Sequence, residues 1–167
     1  MKRTSVLSDF MLVLLILSIV AVGCFALRDV LRTPTDYWYL AREQIAAENY
    51  PLAARYLTRA ADKGLPQAQF ALATMYDVGD KIPENKELAK KYMELAVRSD
   101  YPPALYAMGV WMERGYYGHP DMDKVVNLYQ RSAERGYVNA MKSLIVLYST
   151  DNPEGKAYWY HELMKGI

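Results

Sequence analysis

The sequence has few of the residues that build metal sites, disulfides and many catalytic centres. It contains one cysteine, Cys24, and two histidines, His119 and His161, among 167 residues. A single cysteine excludes a disulfide within the chain and a Cys-x-x-Cys redox or zinc motif. His161-Glu162 begins like the helical zinc-protease motif, but Lys165 stands where the second histidine is needed. We therefore predict no bound metal or other cofactor and no enzymatic activity.

The chain also lacks a strong net charge of either sign. Its formal net charge is +1 with 23% charged residues, and basic residues are interspersed with acidic ones. No basic stripe is available to neutralise the phosphates of a nucleic acid. The glycine-rich loops of nucleotide sites and the serine motif of hydrolases are absent as well. This composition argues against nucleic acid or a small-molecule substrate as the partner.

One long apolar run is present, over residues 10–27, and its 18 residues carry no charge. As a helix it would measure about 27 Å, close to the ~30 Å hydrocarbon core of a bilayer. We predict that segment 1–33 is a signal anchor with one transmembrane helix, and that Lys2 and Arg3 remain cytoplasmic. Residues 34–167 would then form a domain in the periplasm of a bacterium, tethered to the inner membrane.

Two alternatives for this N-terminal segment remain open. The first is a cleaved secretory signal, with a basic start, an apolar middle and small residues near Cys24-Phe25-Ala26. The second is a lipoprotein signal in which Ala21-Val22-Gly23-Cys24 serves as the lipidation box and Cys24 carries the lipid. Both would replace a retained transmembrane helix by a processed N-terminus.

The rest of the chain contains an internal repeat of 36 residues. Apolar positions recur at that spacing, and within each unit they follow the i, i+3, i+4 spacing of one helix face. A turn position recurs in the same way at Gly64, Asp100 and Gly136. The aligned apolar sets include Ala68, Ala104 and Ala140, Leu72, Met108 and Leu144, and Tyr56, Tyr92 and Leu128.

The repeat predicts antiparallel helix pairs that bury a shared apolar face by stacking on one another. Glycine after a cationic last turn marks helix ends, and proline marks helix starts. The predicted pairs are Asp36–Ala47 with Pro51–Lys63, Pro66–Tyr76 with Asn85–Arg98, Pro103–Arg114 with Asp121–Arg135, and Asn139–Ser149 with Glu154–Lys165.

These units resemble Sel1-like repeats, which are related to TPR repeats. The first-half pattern is Ala68-x-x-x-Leu72-Ala73-x-x-Tyr76-x-x-Gly79, and it recurs from Ala104 to Gly115. The second-half pattern is Leu88-Ala89-x-x-Tyr92-Met93-x-x-Ala96, and Lys156-Ala157-x-x-Tyr160 is similar to it. The resemblance implies an all-α solenoid over residues 34–167, with about three repeats and a partial first unit, preceded by the transmembrane helix.

The resemblance also implies that the first helix of each pair lines a concave groove for a protein partner. Aromatic side chains on that face suit protein recognition. The alternative is that a short solenoid buries the same side chains as core. Trp111 and the loop Tyr116–His119 form a second candidate edge. The groove residues predicted in this way are Trp38, Phe70, Thr74, Asp77, Tyr106, Val110, Glu113, Lys142 and Val146.

The leading functional hypothesis is a membrane-anchored adaptor or inhibitor that captures a partner protein in this groove. Some immunity proteins that guard bacteria against secreted phospholipase effectors resemble this layout of an anchor followed by Sel1-like repeats. The alternative is a structural subunit of a multi-protein envelope complex, because Ser18, Ala21, Gly23 and Cys24 give the apolar helix a patch of small residues.

Overall fold

The computed structural model describes residues 11, 13–20, 31–116 and 118–165. Residues 13–20 are helical, and the described part of residues 34–165 forms eight further α-helices. These eight helices are α1 (Pro34–Ala46), α2 (Tyr50–Asp62), α3 (Pro66–Val78), α4 (Lys86–Arg98), α5 (Pro102–Glu113), α6 (Met122–Glu134), α7 (Val138–Asp151) and α8 (Pro153–Lys165).

Each helix packs chiefly against its neighbours along the chain, so α1–α2, α3–α4, α5–α6 and α7–α8 form successive hairpins. Every helix begins and ends within two residues of the position predicted from the sequence. The all-helical solenoid is therefore confirmed. Its stability comes from local contacts between neighbouring hairpins, as expected of repeat architectures.

The second helix of each of the first three hairpins begins with a capping residue that recurs every 36 positions. The side chains of Asn49, Asn85 and Asp121 accept hydrogen bonds from backbone N–H groups three residues later, at 3.4, 2.9 and 3.2 Å. Such caps satisfy donors that the first helical turn leaves unpaired. The first helices of these hairpins begin with Pro34, Pro66 and Pro102. No side-chain cap precedes Pro66 or Pro102, whereas Thr33 caps α1 by accepting a hydrogen bond from the Asp36 N–H at 3.2 Å.

The turn between hairpins has the same geometry at Gly64, Asp100 and Gly136, whose φ angles are 87°, 53° and 82°. The residue after each turn donates its N–H to a carbonyl five residues earlier at 3.1 to 3.2 Å. This six-to-one bond with a left-handed residue is the Schellman end of a helix. The glycine stop signals predicted from the sequence are confirmed, and Asp100 adopts the same conformation without being glycine.

The core consists of two clusters of buried side chains. The first extends from α1 to Leu128 on α6 around small residues such as Ala60 and Ala96, with Leu72 and Met93 between them. The second joins α6, α7 and α8 and contains Tyr129, Leu144 and Trp159. Half-buried side chains of α5 pack against the second cluster, so the solenoid core is continuous along the chain.

The last hairpin differs from the sequence-based expectation. Lys156-Ala157-x-x-Tyr160 was predicted to match the buried second half of a repeat, but Ala157 and Tyr160 are exposed. Trp159 is the buried side chain of α8, at 5% exposure. Only Asn152 separates α7 from α8, whereas eight residues separate α5 from α6. The buried position of α8 thus lies one residue before Tyr160, so the predicted alignment of Lys156 to Tyr160 is wrong.

In the part of the chain that the structure describes, no helix is both long enough and apolar enough to cross a bilayer. The transmembrane helix predicted over residues 10–27 lies only partly within the described residues, and Cys24 lies outside them. Its described portion, residues 13–20, is helical, and its large apolar side chains are all exposed.

Candidate functional site

A cleft of about 310 Å³ lies between the first helices of the last two hairpins, α5 and α7, with α6 contributing part of its wall. It combines apolar and aromatic surface with a few polar groups, which is the usual make-up of a recognition site. Four of the nine predicted groove residues meet there. The lining residues are Tyr106, Glu113, Tyr129, Asn139, Lys142, Ser143, Val146 and Leu147.

The 36-residue repeat explains why these side chains meet. Tyr106 and Lys142 occupy the same position of consecutive units, and so do Val110 and Val146. Stacking α7 beside α5 therefore brings equivalent faces of the two helices together. Tyr106 packs against two other tyrosines beside this contact. Its ring centre lies 5.3 Å from that of Tyr129 and 5.4 Å from that of Tyr137. Aromatic pairs at these separations attract one another beyond simple burial.

Tyr129 forms the firmest part of the cleft wall. Its ring is 1% exposed, and its hydroxyl donates a hydrogen bond to Glu113 Oε2 at 2.8 Å. Burial and the adjacent Glu113 carboxylate raise the pKa of the Tyr129 phenol. The phenol therefore remains neutral at physiological pH and keeps one oxygen of Glu113 occupied. This bond ties α6 to the end of α5.

The α7 wall presents a polar stripe and one large apolar contact. Asn139, Lys142, Ser143 and Val146 are spaced i, i+3, i+4 and i+7, so they lie on one helix face. Val146 is 70% exposed, and Asn139 and Lys142 are exposed too. Among the described residues, the side chains of Asn139, Lys142 and Ser143 form no hydrogen bond or ion pair. This face is therefore available to another molecule.

Of the remaining predicted groove residues, three are partly buried against the core. Trp38 and Phe70 pack on the first core cluster, and the ring of Phe70 meets that of Tyr101 edge-on at 5.8 Å. Val110 packs on the second cluster beside the cleft. Trp38 and Phe70 are half-buried, so they are neither fully exposed, as in an open groove, nor fully buried, as in a sealed core.

Thr74 and Asp77 are engaged locally. The Thr74 hydroxyl donates to the carbonyl of Ala71 at 2.8 Å, within its own helix. Asp77 forms an ion pair with Lys86 at 3.1 Å and lines a different cleft. The cleft at the C-terminal end gathers Tyr106, Glu113 and Lys142 with Val146, and the other five predicted groove residues do not line it.

The second cleft, of about 380 Å³, is built around the predicted second edge. The rings of Trp111 and Tyr116 stack at 5.5 Å, and Lys86 Nζ lies 5.6 Å from the centre of the Tyr116 ring. Lys86 also donates to the Asp77 carbonyl at 2.7 Å and pairs with Glu84 at 2.7 Å. Because the Lys86 ammonium already pairs with these groups, the second cleft offers fewer unpaired polar groups than the first.

Within the described residues, no group of three or more His, Cys, Asp or Glu side chains is placed to hold a metal ion. His119 and His161 are both exposed and lie on different parts of the chain. The clefts thus present neutral hydroxyls, an amide, ammonium and carboxylate groups beside aromatic surface.

Sequence reasoning missed four residues of the first cleft: Tyr129, Asn139, Ser143 and Leu147. Tyr129 occupies the repeat position of Leu57 and Met93, which are apolar core residues. A tyrosine there signals a hydroxyl that needs a hydrogen-bond partner, and only the structure shows that this partner is Glu113. The other three lie on α7 next to residues that were predicted, and only the packing of α7 against α5 brings them into the cleft.

Stacked antiparallel hairpins with a cleft between two of their first helices define a helical-repeat solenoid. The family model for the Sel1 repeat matches residues 37–65, 66–101 and 102–137. The chain therefore belongs to the Sel1 repeat family. Sel1-repeat proteins are generally protein–protein interaction modules, and their fold is typically a non-enzymatic scaffold.

Solved structures share the fold. A Sel1 repeat protein from Oxalobacter formigenes aligns with a TM-score of 0.72 and 21% identity over 80% of this chain and 59% of that one. A protective antigen of uropathogenic Escherichia coli that displays an SLR fold aligns with a TM-score of 0.71 and 20% identity, covering 80% of this chain and 31% of that one.

Among curated sequences, an uncharacterized protein of Neisseria meningitidis serogroup B is 29% identical over 102 residues. That match covers 61% of this chain but only 22% of the relative. The chain thus spans about a fifth of that relative's length.

Proposed function

We propose that this protein is a membrane-anchored, non-enzymatic interaction module that holds a partner protein in the cleft between α5 and α7. The observation that carries the proposal is the exposed face of Asn139, Lys142, Ser143 and Val146 beside the aromatic wall of Tyr106. A Val side chain that is 70% exposed beside a concave aromatic surface is well placed for a protein contact. The family's general role supports the same reading.

We place the protein in a bacterial inner membrane, with the repeats in the periplasm. Support comes from the uncharged run over residues 10–27 and from the exposure of every large apolar side chain in the helical residues 13–20. Exposed apolar surface of this extent calls for lipid or protein cover. Protease protection in spheroplasts tests the orientation. Intact-mass measurement distinguishes a retained helix from cleavage and from lipidation at Cys24.

The experiment for the cleft is affinity purification of the full chain from detergent-solubilised membranes, with mass spectrometry. Val146→Asp places a charge in the cleft, and Val138→Asp makes the same change at an exposed position of α7 outside it. We expect a partner that wild type and Val138→Asp retain in equal amounts and Val146→Asp loses. Equal recovery of every co-purifying protein with both variants would remove the cleft from the partner interface.

A sharper form of this proposal is an inhibitor, such as an immunity protein that blocks a secreted phospholipase effector. It is supported by a cleft that offers binding groups without a catalytic set among the described residues. A toxin-like hydrolase encoded beside this gene should bind the protein 1:1 and lose its activity. If a purified neighbouring effector neither binds nor is inhibited, the inhibitor form is wrong and the adaptor form stands.

The second candidate function is a structural subunit of an envelope complex. It is favoured by the small side chains in the apolar segment, where Ser18 is exposed and bonds only to the Leu15 carbonyl within the described residues. Small residues allow membrane helices to pack closely. Replacing residues 10–27 with an unrelated membrane helix separates the two functions. An adaptor keeps its partner after the exchange, whereas an integral subunit loses its complex.

A further inference from the structure

The two walls of the cleft between α5 and α7 differ in how many of their polar groups already have a hydrogen-bond or ion-pair partner. Glu113 on one side already accepts a hydrogen bond from Tyr129 at 2.8 Å. Lys142 on the other side is exposed and has no acidic partner among the described residues, and the neighbouring Asn139 amide and Ser143 hydroxyl are also unbonded there. The α7 wall thus offers a cation and two neutral donors without a matching acceptor.

Apolar surface lies directly beside these donors. Val146 follows Lys142 by four residues on the same helix face, and Tyr106 lies across the cleft from it. A volume of about 310 Å³ equals roughly ten waters at their liquid volume, which suits one large side chain and a short stretch of backbone. Water displaced from Val146 and Tyr106 would favour an apolar occupant.

We infer that the cleft takes a peptide segment of the partner in which an Asp or Glu stands next to a large apolar residue. The carboxylate pairs with Lys142 and accepts from Asn139 or Ser143, while the apolar side chain covers Val146 and Tyr106. This inference rests on the proposed function and adds the chemistry of the bound segment. It follows from charge complementarity, since the donors of α7 match an acceptor-only group.

The cleft fits a carboxylate better than a phosphate group. A phosphorylated side chain carries nearly two negative charges at neutral pH. Only one cation lines the cleft, and the Glu113 carboxylate lines it as well. With Lys142 and Glu113 both in the cleft, a bound carboxylate leaves a net charge of −1 and a phosphate dianion leaves nearly −2, so the carboxylate is the less costly anion. Two neutral donors beside one ammonium suit a singly charged, planar acceptor.

The test selects peptides from a phage-displayed library of random 12-residue sequences on the detergent-solubilised full chain. Selected peptides are then synthesised, and their affinities are measured for wild type and three variants. Lys142→Glu reverses the charge in the cleft. Lys156→Glu makes the same change at an exposed position of α8 outside it, and Val146→Asp disrupts the apolar part.

We expect enriched peptides to share an acidic residue adjacent to a large apolar one. Lys142→Glu should weaken their binding about tenfold, and Lys156→Glu should leave it unchanged. Changing the peptide's acid to Lys should restore binding to Lys142→Glu. Peptides that lose binding with Val146→Asp but not with Lys142→Glu would overturn the inference and leave the cleft as the binding site. Binders indifferent to both changes, or no binders at all, would overturn it too, and the co-purification with Val146→Asp then decides the proposed function separately.

Discussion

Gly109 lies directly beneath the ring of Tyr129. A Cβ atom added at Gly109 would come within 2.5 Å of Tyr129 Cε1 and 2.8 Å of Cδ1. The missing side chain on α5 is therefore what allows α6 to place an almost fully buried tyrosine in the wall of the cleft. Its hydroxyl reaches Glu113 one helical turn further along α5. Gly109 and Tyr129 therefore determine both how closely α5 and α6 pack and the shape of the cleft wall.

Gly109→Ala should reduce stability even though alanine favours helix by up to about 1 kcal/mol. Overpacking of the Tyr129 ring costs about 1–3 kcal/mol, which outweighs that gain. Denaturant unfolding of the full chain in detergent measures the difference in the free energy of unfolding between Gly109→Ala and wild type. The loss should shrink when Tyr129 is changed to Leu, because the smaller side chain removes the clash. A Gly109→Ala protein more stable than wild type would contradict this packing.

Gln69 provides a test of buried polarity. Its side chain is 4% exposed, Nε2 donates to the Ala61 carbonyl at 3.1 Å, and Oε1 has no partner among the described residues. The Ala61 carbonyl also accepts from Gly64 at 2.9 Å, so it stays bonded without Gln69. Gln69→Met keeps the volume and removes the unpaired oxygen, and stability should change by less than about 1 kcal/mol.

Gln69→Glu, by contrast, buries a carboxylate at the same place and should destabilise the fold by about 2 kcal/mol or more at pH 7. Because burial raises the pKa of such a carboxyl above its unfolded value, the loss should diminish as the pH falls toward 4. The pair of variants is compared by thermal unfolding at pH 7 and pH 4. If the Gln69→Met and Gln69→Glu proteins were equally stable at pH 7, position 69 would be hydrated and the prediction would be wrong.

Asp100 holds two arginines of the next hairpin. Its carboxylate pairs with Arg131 and with Arg135, the latter at 2.9 Å, and the Arg131 guanidinium beside it lowers its pKa. Asp100→Asn keeps a residue that tolerates a φ of 53° but removes the charge. The cost should be about 0.2–1 kcal/mol, since these groups are partly exposed, and it should decrease in high salt.

The low pKa of Asp100 also fixes the direction of a pH effect. The contribution of its ion pairs is present above the unfolded pKa near 4 and is lost as the pH falls through the lower folded pKa. Wild type should therefore lose more stability than Asp100→Asn between pH 5 and pH 2. Parallel acid-unfolding curves for the two proteins would show that these pairs contribute nothing.

The raised pKa of Tyr92 leads us to expect a loss of stability at alkaline pH. Burial and the carboxylate of Asp62, whose Oδ1 lies 3.4 Å from the hydroxyl, raise the pKa of Tyr92 from 10.0 to about 12. The unfolded chain loses this proton first as the pH rises. Stability should thus be unaffected by this group below about pH 10 and should fall from about pH 10 to 12. Tyr92→Phe should show a smaller decline over that range, measured by denaturant unfolding at each pH.

The sequence predicted the repeat unit and the helices because each boundary is marked by local chemistry. The turns at Gly64 and Gly136 lie two 36-residue periods apart, Pro66 and Pro102 lie one period apart, and these signals require no tertiary information. The capping residues Asn49, Asn85 and Asp121 follow the same period and are a further local signal of helix starts. Periodic local signals therefore define this fold.

The site was less predictable because it depends on how hairpins stack. The repeat position placed Tyr106 and Lys142 on the first helices, but their meeting in one cleft depends on α7 packing against α5. Phe70 holds the position before Tyr106 in the same series, yet it is partly covered by Tyr101. At α8, a one-residue connection replaced the expected loop and buried Trp159 instead of Tyr160. Such shifts are set by packing.

The most direct test of the account is photo-crosslinking from a benzoylphenylalanine placed at position 146, in cells that produce the full chain. Arg55, exposed on α2 outside the cleft, supplies the control position. We expect the partner recovered by co-purification to crosslink to position 146 and not to position 55, through a peptide that carries an acidic residue beside an apolar one. Crosslinking of that partner at position 55 with none at position 146 would contradict it.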